Sequence, residues 1–220
     1  MIRPRYSYVF FDWDGTLAQT LEAWIDAKQE TFAEYGVELT RHEVGETLGN
    51  LTIHNEKYGL DLVEYDTRML AKVEEHLAHV PLYDGAFALL QKLYSSGIKL
   101  AILTTNTRER LEYDINRLGV KGFFDYIITA DETTKHKPNP EIIEKAAKHF
   151  GANLDQVLMV GDSSKDLGAA NSAGVDAALF HHPDLHGGFY DIMFLKSEFN
   201  PKYVVEDLSE LASIILEGKS

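Results

Sequence analysis

Two carboxylates follow the first apolar run of this 220-residue chain, in the segment Asp12-Trp13-Asp14-Gly15-Thr16. The run, Tyr8-Val9-Phe10-Phe11, is short and continuous, which is typical of a strand buried in a parallel sheet. Open α/β sheets bind ligands at the carboxyl ends of their strands. Two neighbouring buried carboxylates also need a cation or a shared proton. The pair Asp12 and Asp14 is therefore a candidate for catalysis or metal binding.

A tight hairpin turn at Asp14-Gly15 is the structural alternative, because Asp-Gly is a strong hairpin signal. The residues that follow do not support this alternative. Leu21, Ile25 and Phe32 recur at helical spacing, so the segment leads into a helix and not into a returning strand.

A second polar cluster, Thr104-Thr105-Asn106, follows the apolar run from Lys99 to Leu103. Hydroxyl and amide groups that open a helix can bind an oxyanion, and the helix N-terminus adds partial positive charge. An ordinary N-cap is the alternative interpretation, since Thr and Asn are favoured at that position.

A third feature, Lys137-Pro138, precedes the apolar pattern of a later helix. A lysine at this place can reach back to a phosphate as a point charge. A solvated surface lysine is the alternative, because lysines are mostly exposed and Lys135 and His136 lie beside it.

An acidic pair, Asp162 and Asp166, follows the apolar run from Val157 to Val160. If a helix begins near Ser163, the two residues lie one turn apart on the same face, separated by about 6 Å along the axis. That spacing allows them to share one cation. The alternative is that Asp162 or Ser163 only caps the helix.

Strand and helix patterns alternate through most of the chain, which predicts an α/β fold with a parallel sheet. The predicted strands are Tyr8 to Phe11, Lys99 to Leu103, Tyr126 to Thr129, Val157 to Val160 and Ala177 to Phe180. Residues 17–81 show helical patterns with little strand character. We predict that they form a small helical domain inserted into a Rossmann-like core of residues 1–16 and 82–220, and we assign no element to residues 181–202.

The composition limits the class of partner. The formal net charge of −14 repels phosphate backbones and anionic membrane surfaces, so we expect neither nucleic acid nor a membrane as a partner. The chain has no cysteine, which excludes disulfides and thiolate metal sites. No apolar run approaches membrane-spanning length, and we predict a cytoplasmic protein. The oligomeric state stays open.

The four polar clusters are expected at one edge of one sheet. Carboxylates with a single lysine are typical of a hard-cation site, and Mg²⁺ binds through a few carboxylates, water and substrate phosphate. The segments Asp12-Trp13-Asp14-Gly15-Thr16, Thr104, Lys137-Pro138 and Gly161-Asp162-(x)3-Asp166 resemble, in order and approximate spacing, the four motifs of the haloacid dehalogenase superfamily. That resemblance covers nearly the whole chain and implies a helical cap inserted after the first strand.

The resemblance also implies a role for each matching residue. Asp12 would attack phosphorus to form an aspartyl phosphate, and Asp14 would protonate the leaving group and then activate water. Thr104 and Lys137 would hold the phosphoryl group, with Thr105 as the other candidate hydroxyl. The implied Mg²⁺ ligands are Asp12, Asp162 and the backbone carbonyl of Asp14, with Asp166 as a direct or outer ligand.

The implied activity is hydrolysis of a small phosphorylated metabolite. Asp14 argues against a dehalogenase, because carbon–halogen cleavage needs no leaving-group acid. The cap loop that contains Asn50, Thr52 and His54 is the candidate selector of substrate, and its Gly-Asn pair resembles phosphoglycolate phosphatases. The loop contains no arginine, which argues against a sugar phosphomutase, but Arg41 and Lys57 lie near enough in the sequence to keep that alternative open. A low-turnover phosphate-binding or regulatory module is the other alternative.

Overall fold

The computed structural model describes residues 4–45, 57–181 and 191–217. Its centre is a six-stranded sheet in the order β3-β2-β1-β4-β5-β6, and every neighbouring pair of strands is parallel. The strands are β1 (Tyr8–Phe11), β2 (Lys99–Leu103), β3 (Tyr126–Ile128), β4 (Val157–Gly161), β5 (Asp176–Phe180) and β6 (Tyr203–Val205). The predicted α/β class is confirmed. β1 lies at the centre of the sheet, with β2 on one side and β4 on the other.

Nine α-helices lie in the described residues. They are α1 (Thr20–Glu34), α2 (Arg41–Gly45), α3 (Leu62–Leu77), α4 (Ala86–Ser95), α5 (Arg108–Arg117), α6 (Glu141–Phe150), α7 (Ser164–Ala173), α8 (Ile192–Phe199) and α9 (Glu210–Glu217). None of them is long and apolar enough to cross a membrane.

Both faces of the sheet are covered, because alternate residues of each strand point to opposite sides. Val9 and Phe11 pack with α4, α5 and α9 on one face. Phe10 packs with α6, α7 and α8 on the other face. The central strands are therefore buried on both sides, as their continuous apolar runs predict.

The helical insertion lies between β1 and β2 and has a hydrophobic cluster of its own. Its buried members include Ile25 and Phe32 of α1 and Tyr65 and Met69 of α3. The predicted fold, a Rossmann-like core with a helical cap, is confirmed, whereas the exact boundaries 1–16, 17–81 and 82–220 stay predictions.

Two elements in the last 40 residues were absent from the sequence prediction. β6 has only three residues, which is too short for a periodic signal, and it pairs with β5 at the edge of the sheet. α8 lies in the stretch to which the sequence assigned nothing. Asp191 caps this helix by accepting hydrogen bonds from the N–H groups of Met193 and Phe194, a pattern typical of an N-terminal cap.

Candidate active site

The first two carboxylates emerge where β1 ends. The Asp12 N–H continues the ladder by donating to Val160 O at 2.9 Å. Gly15 then turns the chain with a φ of +73°, and a Cβ at this position would lie 2.5 Å from Asp162 Oδ2. Glycine adopts this conformation without steric cost. Its missing side chain allows the segment after β1 to approach the segment after β4.

Lys137 lies inside the site and not on the surface. Its ammonium nitrogen donates to Asp12 Oδ1 and to Asp166 Oδ1, each at 2.6 Å, and to Leu103 O at 3.0 Å. Burial opposes the charged ammonium, but the charges of Asp12 and Asp166 outweigh burial and raise the pKa of Lys137. The lysine is therefore a fixed positive charge at the carboxyl edge of the sheet.

Asp12, Asp162 and Asp166 form a buried acidic trio. Each offers a carboxylate oxygen, and these oxygens lie within 4.8 Å of one another. Burial and the charge of Asp166 raise the pKa of Asp12 to about 7, and burial with both neighbouring charges raises the pKa of Asp162 well above its usual value. Crowded, buried oxygen donors of like charge fit a hard divalent cation such as Mg²⁺.

The sequence analysis expected Asp162 and Asp166 to lie on the same face of one helix. The structure differs, because Asp162 lies outside that helix. α7 begins at Ser164, so Asp162 precedes both the helix and its N-cap, Ser163. Asp166 instead turns back over the first turn, where Oδ2 accepts hydrogen bonds from the Ser163 N–H and hydroxyl. This capping box leaves Asp166 Oδ1 for Lys137, so the residue acts both as a cap and as a member of the trio.

The two threonines after β2 occupy different environments. Thr104 is fully buried, and its hydroxyl donates to Asp14 Oδ2 at 3.3 Å. Thr105 is exposed and lines the cavity at the site. Burial raises the pKa of the Asp14 carboxyl, which favours its protonated form. Thr104 therefore contacts a catalytic candidate, whereas Thr105 faces the space that a substrate would enter.

Thr16 is a site residue whose contact the sequence analysis missed. Its buried hydroxyl donates to Asp162 Oδ1 at 3.0 Å across 146 residues of sequence. Its place directly after Asp14-Gly15 was the only signal in the sequence. The hydrogen bond orients a carboxylate of the acidic trio.

The polar groups surround a cavity of about 130 Å³. This volume is well below the roughly 300–1,000 Å³ of pockets for drug-sized ligands. The lining residues are Asp12, Asp14, Leu21, Thr105, Lys137, Asp162, Ser163 and Lys165. Lys165, which the sequence analysis did not single out, is an exposed cation on this lining. Asn50, Thr52 and His54 lie outside the described residues.

Comparison with known proteins identifies one family, whose model matches most of the chain. The family model for haloacid dehalogenase-like hydrolases matches residues 9–180. A curated relative, pyrophosphatase PpaX from Halalkalibacterium halodurans, is 34% identical over 214 residues, which cover 94% of this chain and 95% of the relative.

Solved structures share the fold at lower identity. A predicted phosphoglycolate phosphatase from Haemophilus somnus has a TM-score of 0.78 at 20% identity, covering 96% of this chain and 98% of its own. A haloacid dehalogenase-like protein of unknown function from Agrobacterium tumefaciens has a TM-score of 0.81 at 21% identity, covering 95% and 97%. At these identities the likeness shows the fold alone.

Proposed function

Since the chain belongs to the haloacid dehalogenase-like hydrolase family, we propose that it is a Mg²⁺-dependent phosphatase acting on a small organic phosphate monoester. The observation that carries the proposal is the convergence of Asp12, Asp162, Asp166 and Lys137 at the carboxyl edge of the sheet. The small cavity beside them suits a compact substrate.

The proposed reaction has two displacements. In the first, an Asp12 carboxylate oxygen forms a bond to phosphorus, and the bond between phosphorus and the leaving-group oxygen breaks. Asp14 gives its proton to that oxygen, a role that its raised pKa supports. In the second, Asp14 takes a proton from water, whose oxygen attacks phosphorus and releases phosphate from Asp12.

The site residues manage negative charge during both steps. Asp12, Asp162, Asp166 and the backbone carbonyl of Asp14 would hold Mg²⁺. When bound, the ion offsets repulsion between carboxylate and phosphate and helps to align the attack. Lys137 holds the Asp12 carboxylate by a charged hydrogen bond of 2.6 Å, and with Thr104 or Thr105 it would contact the phosphoryl group.

Phosphoglycolate and small sugar phosphates are the favoured substrates on the sequence evidence. Pyrophosphate is a second candidate, for which Lys165 on the cavity lining is the supporting observation, because a second phosphoryl group needs additional positive charge. The similarity to a protein named pyrophosphatase agrees with this candidate. Arg41, which kept a mutase possible, pairs with the partly exposed Asp26 on α1, and this pairing gives no support for a mutase.

The activity test is phosphate release from p-nitrophenyl phosphate, phosphoglycolate, sugar phosphates and pyrophosphate, with Mg²⁺, with Ca²⁺ and with EDTA. We expect turnover with Mg²⁺ only, because Ca²⁺ takes more ligands in looser geometry. Asp12→Asn should abolish turnover, whereas Asp155→Asn, on an exposed residue before β4, should not. Activity in chelator, or activity retained by Asp12→Asn, would contradict the mechanism. Binding of phosphate without turnover would identify a regulatory module.

The cap loop has its own test. Alanine at Asn50, Thr52 and His54 should change the ranking of substrates, because a cap that closes over the core contacts the variable part of the substrate. Lys137→Ala should depress all substrates alike. If the triple variant scaled every substrate by one factor, the loop would not be the selector.

A further inference from the structure

A buried group on core helix α5 lies between the helical insertion and the loop after β1 that carries Asp12, Trp13 and Asp14, which we call the catalytic loop. We call Arg110, Asp114 and Arg117 the clasp. Asp114 is fully buried, and its Oδ1 lies 3.1 Å from Arg110 Nη2 and 3.6 Å from Arg117 Nη2. One carboxylate oxygen therefore faces two guanidinium groups, which are themselves about three-quarters buried.

The two arginines reach beyond their own helix. Arg110 donates to Leu77 O, and Arg117 donates to Val80 O. These carbonyls lie at the C-terminus of α3 and just after it, where the chain returns from the insertion to the core. Helix C-termini present free carbonyls and favour cations. The clasp thus holds the return connection of the insertion from the core side.

The other end of the clasp faces the catalytic loop. Trp13, between Asp12 and Asp14, is fully buried. Its Nε1 and the Asp114 Oδ2 are both buried atoms without a partner of normal hydrogen-bond geometry among the described residues. Burial raises the pKa of Asp114, while the two arginines and the indole N–H of Trp13 act in the opposite direction. Trp13 packs in one buried core cluster with Leu111 and Ile115, which lie on either side of Asp114 along α5. The indole N–H and Asp114 Oδ2 are therefore an unsatisfied buried donor and an unsatisfied buried acceptor beside the same cluster.

The loop and the return connection also share backbone contacts. Leu17 N–H and Ala18 N–H donate to Trp13 O, and Tyr83 N–H donates to Leu17 O. Gln19 N–H donates to Pro81 O, so the outgoing and returning connections of the insertion run side by side. The return connection and the loop that carries Trp13 are therefore linked by backbone hydrogen bonds.

We propose that Asp114 is a positioning residue that couples the helical insertion to the catalytic loop, with Arg110 and Arg117 holding the insertion and Trp13 receiving the coupling. This inference rests on the proposed function only for its kinetic readout. The clasp keeps the insertion close to the cavity. It also fixes the position of the Trp13 indole between Asp12 and Asp14.

The kinetic test compares Asp114→Asn, Trp13→Phe and the double variant, with Glu112→Gln as the matched control. Glu112 lies on the same helix and pairs with exposed Lys121. We expect Asp114→Asn to raise KM by about 5- to 20-fold with a smaller change in kcat, because the insertion is held less often over the substrate. The double variant should lose less in kcat/KM than the product of the single losses, and Glu112→Gln should match the wild type.

A spectroscopic test needs no substrate. Trp13 and Trp24 are the two tryptophans of the chain, so Trp24→Phe leaves Trp13 as the single reporter. In that background Asp114→Asn should shift the Trp13 emission, Glu112→Gln should not, and Arg117→Lys should preserve more of the wild-type emission than Arg117→Met. These three comparisons decide the coupling even if the protein shows no phosphatase activity.

The proposal would be overturned if Asp114→Asn left both KM and the Trp13 emission unchanged. A loss of kcat that only followed the folded fraction, with KM constant, would also overturn it, because that result describes a structural residue. If Asp114→Asn does not fold, the Arg117 variants decide the question by the same two readouts. Absence of turnover in the wild type would reject the proposed function and leave the emission test standing.

Discussion

The Lys137 ammonium nitrogen lies 2.6 Å from Asp12 Oδ1, and both side chains are almost completely buried. The same nitrogen lies 2.6 Å from Asp166 Oδ1. The acidic trio is enclosed by protein, so its three carboxylates repel one another. Among the described residues of the cavity lining, Lys137 is the buried positive charge that offsets this repulsion. The contact therefore matters for stability as well as for chemistry.

Lys137→Met should destabilise the protein by about 3–5 kcal/mol, since it leaves buried carboxylates without their partner. It should also reduce turnover of every substrate by roughly 100-fold or more. Urea unfolding and p-nitrophenyl phosphate hydrolysis would measure the two effects. Lys99→Met, which breaks an exposed pair with Asp125, is the control and should change neither. Wild-type activity in Lys137→Met would show that the lysine has no role in the site.

Asp14→Asn should affect substrates according to their leaving groups. An alkyl alkoxide needs protonation, whereas p-nitrophenolate leaves without it, so the alkyl phosphate should lose about 10²- to 10⁴-fold in kcat and the activated ester much less. Parallel kinetics on the two substrates would measure the difference. Equal losses would argue against the acid role of Asp14.

Thr16→Val should weaken metal binding, although the side chain keeps nearly the same shape. The hydroxyl that orients Asp162 is lost, and groups that orient metal ligands typically account for about 10- to 100-fold in affinity. The Mg²⁺ concentration for half-maximal activity should rise accordingly. Thr31→Val is the matched control, because this buried hydroxyl donates to Ala27 O inside α1, away from the acidic trio. An unchanged Mg²⁺ requirement in Thr16→Val would contradict the prediction.

Gly15→Ala should weaken Mg²⁺ binding in addition to destabilising the backbone. An alanine at the φ of +73° costs about 1–2 kcal/mol, and its Cβ would meet Asp162 Oδ2 at 2.5 Å. Gly97→Ala is the control for the backbone alone, because Gly97 has a φ of +78° with no atom within 4 Å of the added carbon. Both variants should lose stability on thermal unfolding, and Gly15→Ala alone should require more Mg²⁺.

Lys28 makes stability depend on pH at alkaline values. Burial lowers its pKa from 10.5 to about 8, with partial opposition from the charge of Asp66. Well below pH 8, Lys28 is charged in both the folded and the unfolded state. The cost of burying this charge then lowers the free energy of unfolding in full. Between pH 8 and 10.5 the unfolded chain binds more protons than the folded one, so the free energy of unfolding rises with pH.

Lys28→Met should therefore increase the free energy of unfolding at pH 7 by about 1–3 kcal/mol. The advantage over the wild type should shrink as pH rises toward 10.5. Urea titrations at pH 7, 8, 9 and 10 would measure it, with exposed Lys92→Met as the control. A stability difference that stayed constant across this range would reject the pKa assignment.

Much of the sheet could be predicted from local runs of apolar residues in the sequence. The apolar runs at Tyr8–Phe11 and Lys99–Leu103 coincide with β1 and β2 at both ends, because a strand buried on both faces leaves a continuous apolar signature. Since parallel strands end at one edge, these two runs and the run from Val157 to Val160 also predicted that Asp12, Thr104 and Asp162 would lie at the same edge of the sheet. β6 and α8 escaped prediction because three-residue strands and short capped helices carry little periodic signal.

The sequence by itself determined the class of fold and the edge of the sheet at which the polar groups gather, since both depend on residue type and spacing. Only the tertiary structure decided that Lys137 is a buried partner of Asp12 and not a surface lysine, that Thr16 donates to Asp162, and that Arg110 and Arg117 donate to the carbonyls of Leu77 and Val80. The first two contacts join residues 125 and 146 positions apart. Strand register and helix packing set such distances, and no local pattern in the chain encodes them.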